Sequence, residues 1–137
     1  QRVALYCAPT ADDRDTWIST LQHIAMEGRC FVLSSCQHLR RAQFPMDAMH
    51  NRLPEAPDTV LMRGGSCIIS PLGQVLAGPV YGEDALLTAE IDLDDIPRAQ
   101  MDFDPVGHYA RPDVFQLAVN TAPQHAVLAA PGATAQI

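Results

Sequence analysis

The chain has 137 residues, of which 47% are hydrophobic and 18% are charged. This length predicts one domain of ordinary size, and the composition is that of a globular rather than a disordered protein. The nine basic residues, all arginine, are scattered, and the formal net charge is −7. No basic cluster is available to neutralise phosphates, and no apolar run approaches the roughly 20 residues that span a bilayer. We therefore expect neither nucleic acid nor a membrane as a partner.

The first third of the chain has the pattern of a strand–helix–strand unit. Residues 2–9 form an apolar run closed by proline, which predicts a buried strand. A helix is then predicted to run to about Glu27 and to end at Gly28. Its cap and first turn are assigned to three acids, Asp12, Asp13 and Asp15. Its apolar face is formed by Trp17, Leu21, Ile24 and Ala25. Residues 30–35 are the second strand, and the short loops predict that the two strands are parallel.

The middle of the chain is predicted to hold a long loop and a hairpin. Residues 37–64 have a weak pattern and three prolines, which indicates a loop with one helical turn after Pro45. The segments "SCIIS" and "QVLAG" flank "PLG", a tight-turn signature, and predict a β-hairpin.

The last third of the chain is predicted to contain one more strand, one short helix and a tail. Residues 85–93, "ALLTAEIDL", alternate between apolar and polar side chains and predict a third strand. Asp94 and Asp95 cap a short helix that is predicted to run to about Met101. Residues 121–137 are rich in alanine and proline, and we expect a flexible or partner-bound tail.

The cysteines give an expectation about the cellular compartment. The chain has four cysteines and no C-x-x-C pair, and it is longer and poorer in cysteine than disulfide-rich secreted domains. We therefore expect a reduced, cytoplasmic protein, and the first ten residues show no signal-peptide pattern. Cys7, Cys30 and Cys67 lie in apolar strand-like runs and are expected to pack in the core.

Several segments, taken in order, resemble the C-terminal portion of a nitrilase, a carbon–nitrogen hydrolase that cleaves nitriles. These segments are "LYCAPTADDRDTW", "HIAMEGRCFVLSSCQ", "RGGSCIISPLGQVLAGPVYGEDALLTAEIDL" and "DFDPVGHYARPDVF". The "VGHYARP" motif favours nitrilases over the amidases and carbamoylases of the same fold. The resemblance implies an α/β fold, part of an αββα sandwich, in which residues 1–120 form the C-terminal portion of the hydrolase domain and residues 121–137 form the tail.

The resemblance also implies where the chemistry takes place. Nitrilases use a Cys–Glu–Lys set whose cysteine stands in a C-W-E-type segment upstream of the "LYCAPTAD" strand. This chain contains neither "CWE" nor any lysine. We therefore expect no catalytic residue in this chain, which would be the C-terminal part of an enzyme with an upstream nucleophile. The implied reaction converts a nitrile through a thioimidate to a carboxylic acid and ammonia, without a cofactor.

Other functions remain open at this stage. Cyanide dihydratase, cyanide hydratase or an amidase of the same superfamily would share much of this pattern. A different class of function is a non-catalytic assembly module. Cys36, His38 and His50 are the nearest metal-ligand cluster, but their spacing is not that of a recognised site, and no metal is expected.

Three residues are expected to line the substrate pocket. Cys36 and Gln37 follow the second strand, and ligand crevices in α/β folds form at such strand ends. The only nearby base that could activate the Cys36 thiol is His38, so we expect pocket lining or packing rather than nucleophilic attack. Thr10 follows the first strand and is expected either to line the pocket or to cap the next helix.

The resemblance implies further partners for the chain. Nitrilases place this helix at a subunit interface, so we expect contacts with sister subunits through Arg14, Trp17, Glu27 and Arg29. The expected partners are a small-molecule nitrile, sister subunits in a dimer that extends to a spiral, and the missing N-terminal portion of the enzyme.

Overall fold

The structure is a computed structural model that describes residues 3–45, 54 and 56–123. Five strands and two α-helices lie in this range: β1 Leu5–Pro9, α1 Trp17–Gly28, β2 Phe31–Ser35, β3 His38–Arg40, β4 Val60–Ile69, β5 Val75–Tyr81 and α2 Asp95–Asp102. One 3₁₀ turn, Arg41–Gln43, follows β3. The predicted α/β class is confirmed. None of the helices in the described ranges is both long and apolar enough to cross a membrane.

The strands form one mixed sheet in the order β1-β2-β4-β3, with β5 also paired to β4. The predicted parallel pairing of β1 and β2 is confirmed, and it places Pro9 opposite Ser35. The carboxyl ends of these two strands therefore meet at one edge of the sheet. The predicted hairpin is also confirmed, since β4 and β5 are antiparallel neighbours.

Strands β2 and β3 are two halves of one interrupted strand. Ser34 of β2 lies opposite Cys67, and His38 of β3 lies opposite Arg63, so the same register against β4 continues across the gap. The break covers residues 36 and 37. The pairing with β4 is therefore interrupted at residues 36 and 37, at the edge of the sheet where β1 and β2 end.

The core lies between α1 and the sheet. Its buried residues are Leu21, Ala25, Cys30, Val32, Cys67 and Ile69, with Trp17 and Ile24 packed against them. The apolar face predicted for the helix is thus confirmed, as is the packing of Cys30 and Cys67. Burial raises the pKa of both thiols. They therefore stay neutral, and their side chains behave as small apolar groups.

The predicted ends of α1 need correction. The helix begins at Trp17 with Thr16 at its N-cap, and its first turn contains no acid. The three preceding aspartates do not cap it, because their carboxylates bind arginines instead. At the other end Gly28 lies inside the helix, and Arg29 adopts the left-handed conformation, with φ of 46°. Tertiary hydrogen bonds of the Arg29 side chain hold it there.

Strand β1 is not the buried strand that the sequence predicts. Leu5 and Tyr6 are 46% and 44% exposed, and Cys7 is exposed as well. Within the described sheet β1 has only β2 as a neighbour, so it is an edge strand. The prediction that Cys7 packs in the core is therefore wrong for this structure.

The segment 37–64 was predicted to be a loop, and this is wrong at both ends. It contains β3 and the first half of β4, whose pairing joins residues 20 or more positions apart and leaves little local signal. The helical turn predicted after Pro45 falls on residues outside the described ranges.

The strand predicted at residues 85–93 is also wrong. This segment has no ladder partner among the described residues, and Leu86 is 91% exposed. Alternation alone does not make a strand when no sheet edge is adjacent. The bounds of the helix that follows were predicted correctly, since α2 begins after Asp94 and contains Met101, but the Asp94 side chain makes no cap hydrogen bond.

Candidate functional site

The candidate site lies where β1 and β2 end. The Thr10 N–H donates to the Ser35 carbonyl oxygen at 2.9 Å, which holds the two strand ends side by side. Two cavities adjoin here and share Ser35 and Gln37. Cavity A, of about 450 Å³, is lined by Pro9, Thr10, Ala11, Ser35, Gln37 and Met62. Cavity B, of about 190 Å³, is lined by Ser35, Cys36, Gln37, His38, Ser66, Val80, Glu83, Asp84 and Ala85.

The structure brings together the three residues predicted to line a pocket. Thr10 and Gln37 line cavity A, and Cys36 and Gln37 line cavity B. Their contact with a substrate stays a prediction. A larger cavity of about 500 Å³ lies near the start of β1 and the end of α1. We place the candidate site at the strand ends because ligands of open α/β sheets bind outside the carboxyl ends of the strands.

Thr10 shapes the turn that leaves β1. Its hydroxyl oxygen accepts a hydrogen bond from the Asp12 N–H at 2.9 Å. This bond closes a local turn and does not cap α1, which begins only at Trp17. Asp12 in turn accepts a hydrogen bond from the Arg14 Nε at 2.8 Å, and the Arg14 guanidinium lowers the pKa of this carboxyl to about 2. Asp12 is therefore ionised at neutral pH and belongs to the turn.

Cys36 is held at the strand break by Ser66. The Cys36 N–H donates to the Ser66 Oγ at 3.0 Å, and the same hydroxyl donates to the Cys36 carbonyl oxygen at 3.0 Å. The hydroxyl thus satisfies both backbone groups that the interrupted ladder leaves free. Ser66 could not be predicted from the sequence, because its partner lies 30 residues away and no local motif marks it.

The Cys36 thiol is poorly suited to nucleophilic attack. The residue is only 5% exposed. Burial, followed by the negative charges of Asp13 and Asp12, raises its pKa. A raised pKa leaves the thiol protonated at neutral pH, whereas attack needs the thiolate. The described geometry therefore favours a packing or lining role for Cys36.

Gln37 and His38 complete the wall at the break. The Gln37 Nε2 donates to the Met62 Sδ at 3.4 Å, and both side chains line cavity A. The His38 side chain is 6% exposed, and its Nδ1 lies 3.8 Å from the Asp84 Oδ1. Its Nε2 is buried without a hydrogen-bond partner among the described residues. In these ranges no three or more His, Cys, Asp or Glu side chains are grouped to hold a metal, and His50 lies outside them.

Arg63 joins β4 to the turn between β1 and α1. Its backbone N–H donates to the Asp13 Oδ2 at 3.0 Å, and its Nε donates to the Asp13 carbonyl oxygen at 2.7 Å. Its Nη2 donates to the Asp15 Oδ1 at 2.5 Å, and these acids raise the pKa of the guanidinium. The role of Arg63 could not be predicted from the sequence, because these partners are about 50 residues away.

The four residues predicted at a subunit interface lie along α1 and its ends. Arg14 and Glu27 are exposed, whereas Trp17 is partly buried against the core. Arg29 is buried, and its Nε donates to the Phe103 carbonyl oxygen at 2.7 Å. Its guanidinium is thus bonded within the chain. Contact of these residues with another subunit stays a prediction.

Comparison with known proteins identifies the family. Residues 5–100 match the profile of the family described as carbon-nitrogen hydrolase. The chain belongs to the carbon–nitrogen hydrolase family. The match begins at β1 and ends within α2, so it includes both strand ends and the whole candidate site.

Several relatives of high identity are nitrilases. The chain is 64% identical over 126 residues to an aliphatic nitrilase of Sinorhizobium fredii, covering 92% of this chain and 41% of the relative. It is 50% identical over 128 residues to a bifunctional nitrilase/nitrile hydratase of Nicotiana tabacum, covering 91% of this chain and 36% of that protein. The chain thus spans about two fifths of the length of these relatives.

The fold is shared with a solved carbon–nitrogen hydrolase. A crystal structure of a carbon–nitrogen hydrolase from Helicobacter pylori aligns with a TM-score of 0.56 and 15% identity, over 82% of this chain and 39% of that protein. At this identity the likeness concerns the fold alone. It agrees with the α/β portion of a carbon–nitrogen hydrolase that the sequence predicts.

Proposed function

We propose that this chain is the C-terminal portion of a nitrilase that hydrolyses a small nitrile to a carboxylic acid and ammonia. The observation that carries the proposal is the 64% identity, over 92% of the chain, to an aliphatic nitrilase. The placement of Thr10, Cys36 and Gln37 around adjoining cavities supports a wall of the substrate pocket at this edge.

In this proposal the attacking thiolate belongs to a cysteine upstream of residue 1. It adds to the nitrile carbon and gives a thioimidate, and water then adds to form a tetrahedral intermediate. Loss of ammonia leaves a thioester, which a second water hydrolyses to the acid and the free thiol. The raised pKa of the Cys36 thiol argues against this residue as the nucleophile.

A second candidate function is hydration of the nitrile to the amide. One relative at 50% identity is a bifunctional nitrilase/nitrile hydratase, which favours this alternative specifically. The two outcomes differ at the tetrahedral intermediate, where loss of the thiolate instead of ammonia releases the amide after one water. Groups around the leaving nitrogen decide this partition.

The test is product analysis with the intact enzyme that we propose contains this chain. We expect stoichiometric acid and ammonia from at least one aliphatic or aromatic nitrile. Amide without ammonia would support the hydratase alternative, and ammonia from amides but from no nitrile would indicate an amidase. No product from any nitrile would contradict the proposal.

The remaining features of the proposal concern assembly and location. We propose that residues 1–120 belong to the hydrolase domain and residues 121–137 form its tail, and that sister subunits associate in a dimer that extends to a spiral. The exposed residues of α1 support such a contact. The four cysteines are unpaired, which supports a reducing, cytoplasmic environment.

A further inference from the structure

We propose that Arg63 is a positioning residue that fixes the turn between β1 and α1, residues 10–16, and so sets the width of cavity A. The inference rests on the proposed function, since it concerns the same site. Thr10 and Ala11 stand on the turn side of this cavity, and Met62, the neighbour of Arg63, stands on the β4 side.

The contacts of Arg63 fix the backbone of the turn and not only a side chain. Its backbone N–H and its Nε bind a carboxylate oxygen and the carbonyl oxygen of the same residue, Asp13, at 3.0 and 2.7 Å. Its Nη2 donates to the Asp15 Oδ1 at 2.5 Å. Three donors at fixed relative positions therefore define where the turn sits relative to β4.

The Arg63 guanidinium also packs against an aromatic ring. The Arg63 Cζ lies 4.5 Å from the centroid of the Tyr81 ring. Gly65 leaves room for that ring, because a Cβ at this position would lie 3.0 Å from the Tyr81 Cε1. A planar guanidinium can stack and donate in several directions at once, whereas a lysine ammonium lacks this geometry.

Loss of the Arg63 side chain is expected to displace the turn. Three aspartates lie within four residues, and Arg14 binds one of them, Asp12. The Asp15 carboxylate accepts from the Arg63 guanidinium, whereas the Asp13 carboxylate accepts from the Arg63 backbone N–H, which every variant keeps. Without the guanidinium the Asp13 carbonyl oxygen and the Asp15 carboxylate lose their donors, and the turn is expected to move away from β4, which shifts Thr10 relative to Met62.

The experiment uses Arg63→Lys and Arg63→Gln in the intact enzyme, with a nitrile as the substrate. Misplacement of a pocket wall is expected to raise KM about tenfold while kcat changes by less than about threefold. Hydrogen exchange of the amides of residues 11–16 is expected to become faster than in the wild type. Arg98→Gln is the matched control, since Arg98 also binds two carboxylates, Asp92 and Asp95, each at 2.8 Å, but lies outside both cavities.

The outcomes separate this inference from the proposed function. Unchanged KM and unchanged exchange at residues 11–16 in both variants would overturn it. Exchange that rises throughout the protein together with an equal fall in kcat would show a structural role, and would overturn it as well. If the intact enzyme does not act on nitriles, the proposed function is wrong. The hydrogen-exchange measurement then still tests whether Arg63 fixes the turn. If neither Arg63 variant folds, Asp15→Asn removes one exposed partner, and locally faster exchange is again the expected result.

Discussion

Replacing Gly78 by alanine is expected to destabilise the protein by about 3 kcal/mol, because backbone strain and a steric clash add. Gly78 has φ of 78°, a left-handed conformation that residues with a Cβ rarely adopt. A Cβ there would lie 2.3 Å from the Ser66 carbonyl oxygen and 3.1 Å from the Cys67 Cα. Both are backbone atoms of β4, which cannot rotate away as the end of a side chain can.

Gly82→Ala is the matched control for this change. Gly82 has φ of 80°, but a Cβ there would meet no atom within 4 Å. This variant should therefore carry only the backbone strain, about 1 kcal/mol. Thermal unfolding of the two variants of the intact enzyme checks the expectation, and equal midpoints would contradict the steric argument. Because Ser66 holds Cys36, Gly78→Ala should also disturb cavity B.

Replacing Arg29 by methionine is expected to destabilise the protein by about 3 kcal/mol, since one buried and one partly buried backbone carbonyl lose a charged donor. Arg29 is 5% exposed, and it donates to the carbonyl oxygens of Phe103 at 2.7 Å and Pro71 at 3.3 Å. Its guanidinium also lies 5.3 Å from the centroid of the Phe103 ring. Methionine fills a similar space but donates no hydrogen bond, so both carbonyls would lose this donor and the buried Pro71 carbonyl would be left unsatisfied.

Arg29 links the end of α1 to the segments that contain Pro71 and Phe103, so its loss is expected to destabilise all three. We expect a lower thermal midpoint and faster hydrogen exchange in the segment after α2. Arg111→Gln is the control, because Arg111 is exposed and its guanidinium, among the described residues, binds only Asp113, a near neighbour. Its midpoint should match that of the wild type. An Arg29→Met midpoint equal to that of the control would contradict the role assigned to Arg29.

The sequence predicts those parts of the fold whose cause is local. The apolar face of α1, the parallel pairing of β1 with β2 and the "PLG" hairpin were all predicted correctly, because periodicity and turn residues report them directly. The failure at residues 85–93 has the opposite cause. Their alternation is suitable for a strand, but a strand also needs a neighbouring edge, which a local pattern does not report.

The residues of the candidate site could likewise be predicted only where the cause is local. The position of Cys36 and Gln37 after a strand and of Thr10 after its parallel neighbour was enough to predict that they meet. Ser66 and Arg63 were missed, since each acts through partners 30 to 50 residues away in sequence. Neither residue belongs to a motif that marks such a contact. Arg29 was expected at an interface because the family resemblance places this helix there, whereas its burial could be seen only in the structure.

The most direct test of a nitrilase with an upstream nucleophile is to locate the covalent intermediate. The intact enzyme is incubated with a slowly hydrolysed nitrile, quenched in acid and digested, and the peptide that carries the substrate mass is identified by mass spectrometry. We expect the adduct on a cysteine that precedes residue 1, with all four cysteines of this chain unmodified. An adduct on Cys36, or on any other cysteine of this chain, would contradict this assignment.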